Sequence, residues 1–186
     1  MKKFFLMAAL AFSALNMNAQ KVRFGINAGA GISSVVGSEA KAYGNAFAYK
    51  IGATVDIPTS EHFSFISGVD FINKSFEAPG ENYNRFFLQL PVMAAYKFDM
   101  GESSKLTLKA GPYVGYGVVS SDIKGTDLNF FKDDYHNRGD FGFKAGISFD
   151  FSHFTVGAEY SRAIRKINDD LKAYNQVYGI MLGYKF

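Results

Sequence analysis

Three histidines, His62, His136 and His153, are the only side chains of this chain whose ordinary pKa lies near neutrality. His136 follows Asp133 and Asp134, and the order Asp-Asp-x-His could bind a metal or act as an acid–base pair. Solvated loops also carry such clusters without any chemistry. The other two histidines stand alone at predicted strand starts and are interpreted as interfacial residues. A surface hydrolase at Asp133, Asp134 and His136 is therefore one hypothesis.

Other catalytic patterns are missing from the sequence. There is no cysteine, which excludes a disulfide framework, a thiolate metal site and a lipidated N-terminal cysteine. The sequence has no G-x-S-x-G elbow, phosphate loop or carboxylate–histidine metal pattern. Ser67 lies in a predicted strand with no histidine near it in register. The prediction is a protein that is not an enzyme and has no catalytic residue, metal or cofactor.

Charged side chains alternate with apolar ones along most of the chain. Most of the 19 glycines share the charged face, and none lies on the apolar face. Five acids and six bases on this face predict a paired network, because buried charge is costly unless paired. The network is predicted from Arg23, Lys50, Asp56, Asp70, Lys109, Lys144, Glu159 and Lys185, together with Lys97, Asp140 and Asp150.

These charges require strands to position them. The alternation has period two over runs that suit tilted membrane strands of about 9–11 residues. Aromatic residues make up 17% of the chain, and proline is scarce at 4, which also favours strands. Eight strands are predicted, at 21–33, 46–57, 62–73, 86–98, 105–119, 139–152, 154–164 and 175–186.

The bulk of the two faces decides which one points outward. The apolar face is mostly Phe, Tyr, Leu, Ile and Val, for example Phe141, Phe143, Ile147 and Phe149. Eight strands enclose only a modest set of side chains, so this face does not fit inside a closed barrel. Only lipid tolerates it as an exterior. The predicted fold is all-β, an eight-stranded antiparallel up-and-down transmembrane β-barrel with the glycines and charges inside.

The connections alternate in length. Those near 33–45, 74–85, 120–138 and 165–174 are long, whereas those at 58–61, 99–104 and 152–153 are short. Outer-membrane barrels have long extracellular loops and short periplasmic turns, so both termini are expected in the periplasm. Aromatic residues concentrate near both ends of the strands and predict two interfacial girdles.

The first 19 residues read as a secretory signal peptide. Lys2 and Lys3 precede an apolar stretch, and Ala19 offers a cleavage point before Gln20. Met17 makes the cleavage site imperfect, and a short membrane anchor is the alternative. The predicted domains are thus a cleaved signal peptide, 1–19, and an outer-membrane barrel, 20–186. Without the signal the chain is nearly neutral, so no nucleic-acid partner is expected.

Two consecutive strands carry the residues of a family resemblance. Stretches 86–98, FFLQLPVMAAYKF, and 106–118, LTLKAGPYVGYGV, resemble the PorT-like outer-membrane β-barrel family of small OmpX/OmpA-like barrels. Pro91, Gly111 and Pro112 are its most specific residues here. The stretch 140–160 resembles the family's following hairpin. The ending with Gly183, Tyr184 and Phe186 looks like the aromatic signal that the assembly machinery recognises.

The two prolines remove backbone donors inside predicted strands, so a bulge is expected beside each. The leading functional hypothesis is a non-enzymatic barrel of the cell outer membrane, with a filled lumen and a structural or surface-interaction role. The resemblance implies an alternative, an accessory of protein secretion or envelope assembly; a narrow porin-type channel is a further one. Expected partners are outer-membrane lipid and lipopolysaccharide, the barrel-assembly machinery, and a secretion-system or surface protein.

Overall fold

The structure is a computed structural model that describes residues 22–38, 44–78, 81–101, 103–122, 138–167 and 172–186. The predicted signal peptide lies outside these ranges, as do Asp133, Asp134 and His136. Among the described residues, no helix has the length and apolar character needed to cross a bilayer.

Nine strands form the wall of the molecule. They are β1 Arg23–Val36, β2 Ala46–Pro58, β3 Phe63–Asn73, β4 Phe76–Ala78, β5 Glu81–Gly101, β6 Ser104–Asp122, β7 Gly139–Phe151, β8 Phe154–Ala163 and β9 Tyr174–Lys185. β4 continues the direction of β3 after a break at Lys74 and Ser75, and both pair with β5. Since β3 and β4 together form one side of the wall, the barrel has eight sides, as predicted. Each side is called a stave below, and β3 with β4 is the third stave.

All neighbouring strands are antiparallel, and the sheet closes on itself. β1 pairs with both β2 and β9, and β3 pairs with β5, so no stave is left with a free edge. When paired residues are followed from strand to strand around the barrel, the path that leaves β7 at Asp150 returns to β7 at Asp140. The strands are therefore staggered by ten residues over one full turn of the barrel. Eight strands with this stagger tilt by roughly 35–45° from the barrel axis.

The faces divide as the alternation predicts. Along β7, the side chains of Phe143, Ile147 and Phe149 are exposed, whereas Lys144 and Ser148 are buried. The same alternation holds in the other long strands, so large apolar residues cover the outside. Glycines and polar residues line most of the inside, together with apolar clusters such as Ile72, Phe87 and Val177.

One predicted loop is wrong. Residues 74–85 were expected to be a long connection, but β4 and the first residues of β5 pair there as a hairpin, with Ala78 opposite Glu81. The hydrogen bond from the Lys74 backbone N–H to the Arg85 carbonyl, 2.7 Å long, continues this pairing across the break. Tyr83 and Asn84, which were assigned to a loop, are therefore strand residues.

The predicted bulges beside the prolines are also wrong. The β3–β5 ladder lacks pairs at Leu90 and Pro91, yet its register is the same on both sides of the gap. The β5–β6 ladder has a similar gap opposite Pro112. Since proline has no N–H, the ladder opens locally and the strands stay in register. The register shifts of β5 and β6 lie elsewhere, at Phe86/Phe87 and near Gly101.

Aromatic side chains pack together at both ends of the barrel. At the end with the short turns, the Tyr96 ring lies 4.7 Å from Phe63 and 4.6 Å from Phe98. At the opposite end, the Phe86 ring lies 5.3 Å from Phe71 and 6.0 Å from Tyr49. These two ends are called the turn end and the loop end below.

Candidate functional site

One carboxylate, that of Glu159, joins the charged side chains at the centre of the lumen. Glu159 of β8 pairs with Gly146 on β7 and Gly179 on β9, so neither neighbour has a side chain beside it. Its Oε1 accepts a hydrogen bond from Lys109 Nζ at 2.6 Å. Oε2 accepts one from Lys50 and lies 3.4 Å from Lys144 Nζ. Three lysines from three other strands thus converge on one acid.

A second acid extends this central cluster, which comprises Lys50, Asp70, Lys109, Lys144 and Glu159. Asp70 Oδ2 lies 2.6 Å from Lys144 Nζ and 3.9 Å from Lys50 Nζ. The side chains are 3–10% exposed, so the charges are shielded from bulk water. Ion pairs at this burial depend on one another, because removing a partner leaves a charge without compensation.

Glycines provide the space that these long side chains occupy. A Cβ placed on Gly146 would lie 3.0 Å from Lys109 Cε and 3.1 Å from Glu159 Cγ. A Cβ on Gly29 would lie 3.2 Å from Lys50 Cε, and one on Gly52 would lie 2.3 Å from Asp70 Oδ1. The glycines and charges share a face because the charged chains lie over the glycine backbone.

Separate ion pairs lie toward the turn end. Lys97 Nζ donates to Asp56 at 2.5 Å, and Lys185 Nζ lies 2.8 Å from Asp150. Hydroxyl groups of Thr107 and Thr155 also donate to Asp150, at 2.9 and 2.6 Å. Arg23, predicted to belong to the network, lies exposed at this rim and forms no ion pair with any part of the chain that the structure describes.

A third cluster lies toward the loop end and was only partly predicted. Lys74 is buried and donates to Asp140, and its Nζ lies 3.2 Å from the Tyr113 hydroxyl. Gln89 also donates to Asp140, at 3.2 Å. Arg85 is buried above them, where its guanidinium donates to Asn175 Oδ1 at 2.6 Å and lies 4.6 Å from the Phe76 ring.

The sequence interpretation missed Lys74 and Arg85 because both fell in the predicted loop. The alternation that puts Phe87 and Gln89 inside also puts Arg85 inside, so extending that pattern would have found it. No comparable signal exists for Lys74, which lies in the break between β3 and β4. With these two residues, the three clusters together hold more cations than acids: Lys50, Lys74, Arg85, Lys97, Lys109, Lys144 and Lys185 against Asp56, Asp70, Asp140, Asp150 and Glu159.

Free space beside the central cluster is small. A cavity of about 30 Å³ lies against Lys50, Lys144 and Glu159. A single water needs roughly 10–15 Å³ measured in this way. The space accommodates two or three waters, which is too little for the passage of hydrated solutes.

The described residues lack an assembled catalytic group. The Ser67 hydroxyl donates to the Pro91 carbonyl at 2.8 Å, beside the ladder gap, so the backbone occupies it. His62 stacks on Tyr96, and His153 stacks on Tyr184, both at the turn end. Within the described ranges, no group of histidines and acids is arranged to hold a metal.

The residues of the predicted assembly signal lie at the end of the last strand, with Phe186 directly after it. The Tyr184 ring contacts Phe154 at 5.3 Å and Phe186 at 5.4 Å, and Gly183 pairs with Thr155 on β8 and Asn27 on β1. These contacts close the barrel at the turn end. Recognition of Gly183, Tyr184 and Phe186 by assembly machinery stays a prediction.

Solved structures of small outer-membrane barrels have a similar fold. Neisserial surface protein A superposes with a TM-score of 0.59 and 16% identity, covering 90% of this chain and 100% of that one. The outer membrane enzyme PagL superposes with a TM-score of 0.56 and 15% identity, covering 86% and 98%. Ail of Yersinia pestis gives a TM-score of 0.48 at 16% identity, covering 90% and 100%. At these identities the likeness concerns the fold alone.

No curated protein matches the sequence significantly. A family model described as the outer membrane protein beta-barrel domain matches residues 4–186. It covers every strand of the barrel, including the prolines and glycines of the wall and all charges of the lumen. This chain therefore belongs to the outer membrane protein beta-barrel domain family.

Proposed function

We propose that this outer-membrane barrel is non-conducting and non-enzymatic, and that its role is structural or one of surface interaction. The observation that supports the proposal is the central cluster, in which Glu159 joins lysines from β2, β6 and β7 across the lumen. Charged side chains that meet from opposite walls occupy the path that a solute would need.

Current measurement across a planar lipid bilayer tests the closed lumen. The purified full-length protein is expected to insert without stable single-channel steps. A variant with Lys109, Lys144 and Glu159 all changed to Ser shortens three of the side chains that fill the centre and is expected to conduct, which shows that the assay detects an open barrel. Large, stable currents from the unmodified protein would contradict the proposal.

We propose that the barrel has no enzymatic activity because of the contacts that its candidate catalytic side chains make. The Ser67 hydroxyl is bonded to the Pro91 carbonyl, and His62 and His153 lie at the turn end. One neighbour in fold is named as an outer membrane enzyme. The hypothesis of a surface hydrolase at His136 makes lipid hydrolysis the activity to test. Reconstituted protein is expected to release no fatty acid. Release that disappears in His136→Ala would support the surface hydrolase instead.

The PorT-like assignment remains a proposal, and with it a role as an accessory of secretion or envelope assembly. Its support comes from the two strands that carry the motif, β5 and β6. Pro91 lies at a gap in the β3–β5 pairing and Pro112 at a gap in the β5–β6 pairing, so both motif strands have interrupted hydrogen bonding. Capture of partners from detergent-solubilised envelopes with the intact barrel tests it. Recovery of a secretion-system component is expected only if this assignment holds, and a barrel recovered with lipopolysaccharide or the general assembly machinery alone would count against it.

A further inference from the structure

The outer wall formed by β5 to β9 has an apolar groove. Its floor consists of small outward-facing side chains, Ala94, Ala110, Ala145 and Ala158. Ala94 pairs with Ala110 and Ala110 pairs with Ala145, so three of these alanines follow one line of paired residues across β5, β6 and β7. The groove is open rather than enclosed and has a volume of about 720 Å³.

Polar groups border the groove on the side toward the loop end. Tyr160 and Tyr178 pair across β8 and β9, and their rings lie 5.0 Å apart. The Tyr160 hydroxyl donates to Gln176 Oε1 at 3.1 Å, and Gln176 Nε2 donates to the Tyr178 hydroxyl. Both tyrosines lie on the loop-end side of the groove, and tyrosine is a side chain that membrane proteins place against lipid headgroups.

One charge stands directly beyond these tyrosines. Arg162 is the only charged side chain on the outward faces of β7, β8 and β9 among their described residues. It is exposed, and its paired neighbours are Phe143 and Gln176. Phe143 offers no acceptor, and the Gln176 amide is bonded to the tyrosines, so no described side chain beside Arg162 neutralises it.

We propose that this surface binds one phosphate-bearing lipid of the outer leaflet, with its phosphate against Arg162 and an acyl chain in the groove. A guanidinium binds phosphate through two parallel hydrogen bonds, and such charge-assisted bonds are stronger than neutral ones. Arg162 lies four residues from Ala158 on β8, which is about 13 Å at roughly 3.3 Å per residue. A phosphate at the interface and a chain that descends into the groove match that separation.

A second copy of the chain fits the surface less well. A two-fold interface across the groove would bring the same patch of each copy together and place one Arg162 near the other. Like charges that face each other at an interface are unfavourable. The lipid site is independent of the lumen, so it holds whether or not the barrel conducts.

Native mass spectrometry of the purified barrel in detergent tests the proposal. The probes are diphosphorylated lipid A and the same lipid after removal of its phosphates. The intact protein is expected to retain one diphosphorylated lipid A. Arg162→Gln is expected to weaken this binding about tenfold, the loss of roughly one charge-assisted contact. Removal of the phosphates is expected to weaken binding to the unmodified protein by a similar factor.

Matched variants separate the site from general lipid adhesion. Ala145→Leu fills the groove and is expected to lower retention, whereas Ala53→Leu enlarges an outward alanine on β2 and is expected to leave it unchanged. Arg23→Gln removes an exposed cation at the opposite rim and controls for net charge. Heat-modifiable gel mobility establishes that each variant is folded.

Three results would overturn the proposal. The first is equal binding of the phosphorylated and dephosphorylated lipids. The second is unchanged binding in Arg162→Gln, or an equal loss in Ala53→Leu and Ala145→Leu. The third is a protein dimer that Ala145→Leu dissociates, which would assign the groove to a second copy of the chain.

Discussion

Lys109 and Glu159 meet over the glycine that separates them in the sheet: Gly146 pairs with both, and the Lys109 Nζ lies 2.6 Å from Glu159 Oε1. The same arrangement recurs where Lys50 lies over Gly29 and Asp70 lies over Gly52. At these positions an inward glycine leaves the space that a neighbouring charged side chain occupies. The alternation of glycine and charge follows from this packing.

Glu159→Gln is expected to lower the free energy of unfolding by about 3–5 kcal/mol, the range for removing one partner of a buried ion pair. The variant leaves Lys50, Lys109 and Lys144 with Asp70 as their remaining acid in the central cluster. Urea unfolding from lipid vesicles measures the change. Asp99→Asn is the control, because Asp99 is half-exposed and pairs with Lys105 at the turn end, where solvent screens the charges. Equal destabilisation by both variants would contradict the account.

Gly29→Val is expected to destabilise the barrel, whereas Ala28→Val, one residue away, is expected to be tolerated. A Cβ at Gly29 would meet the Ile180 carbonyl oxygen at 2.7 Å and displace Lys50, while Ala28 is exposed on the lipid face. Overpacking of this kind costs about 1–3 kcal/mol. Unfolding midpoints of the two variants give the comparison, and the opposite order of stability would mean that the faces are reversed.

A double-mutant cycle at Lys74 and Asp140 is expected to show strong coupling. Lys74→Met leaves the Asp140 carboxylate buried with Gln89 and Tyr113 as neutral partners, so the single variant is expected to lose about 3–5 kcal/mol. The double variant Lys74→Met and Asp140→Leu removes both charges and is expected to regain most of that loss. Measured stabilities that simply add would show that the two side chains do not interact.

The periodic part of the structure could be predicted from the sequence. Eight staves, the outward position of residues such as Val92 and Phe143, and the two aromatic groups follow from period-two patterning, since a one-residue slip would reverse every side chain. The size of the side chains then decides which face points outward, because the face that carries the phenylalanines does not fit inside a barrel of eight strands.

The sequence predictions were wrong at positions where the alternation of apolar and polar side chains is interrupted. Lys74 and Ser75 interrupt the third stave, so the hairpin beyond them looked like a loop, and Arg85 was lost with it. Pro91 and Pro112 were expected to cause bulges, but whether a missing donor shifts the register or only opens the ladder depends on the neighbouring strands. Arg162 was overlooked since it interrupts the apolar alternation of its face after Tyr160.

Val92→Arg is expected to cost about 2–4 kcal/mol, the range for arginine on the lipid face near the middle of the bilayer. Val92 is exposed on the outward face of β5, between the aromatic groups of the two ends. Val92→Leu keeps the face apolar and serves as the control. Folding yield and unfolding in vesicles provide the measurement, and a harmless arginine would place this residue away from lipid.

The central claim is that successive residues of each strand face lipid and a closed, charged lumen in turn. A spin-label scan of residues 145–149 on β7 tests it most directly, because the chain has no cysteine of its own and each label is unique. In vesicles, labels at Ala145, Ile147 and Phe149 are expected to be accessible to lipid-soluble oxygen, and those at Gly146 and Ser148 are expected to be protected. Accessibility that does not alternate along the strand would contradict the claim.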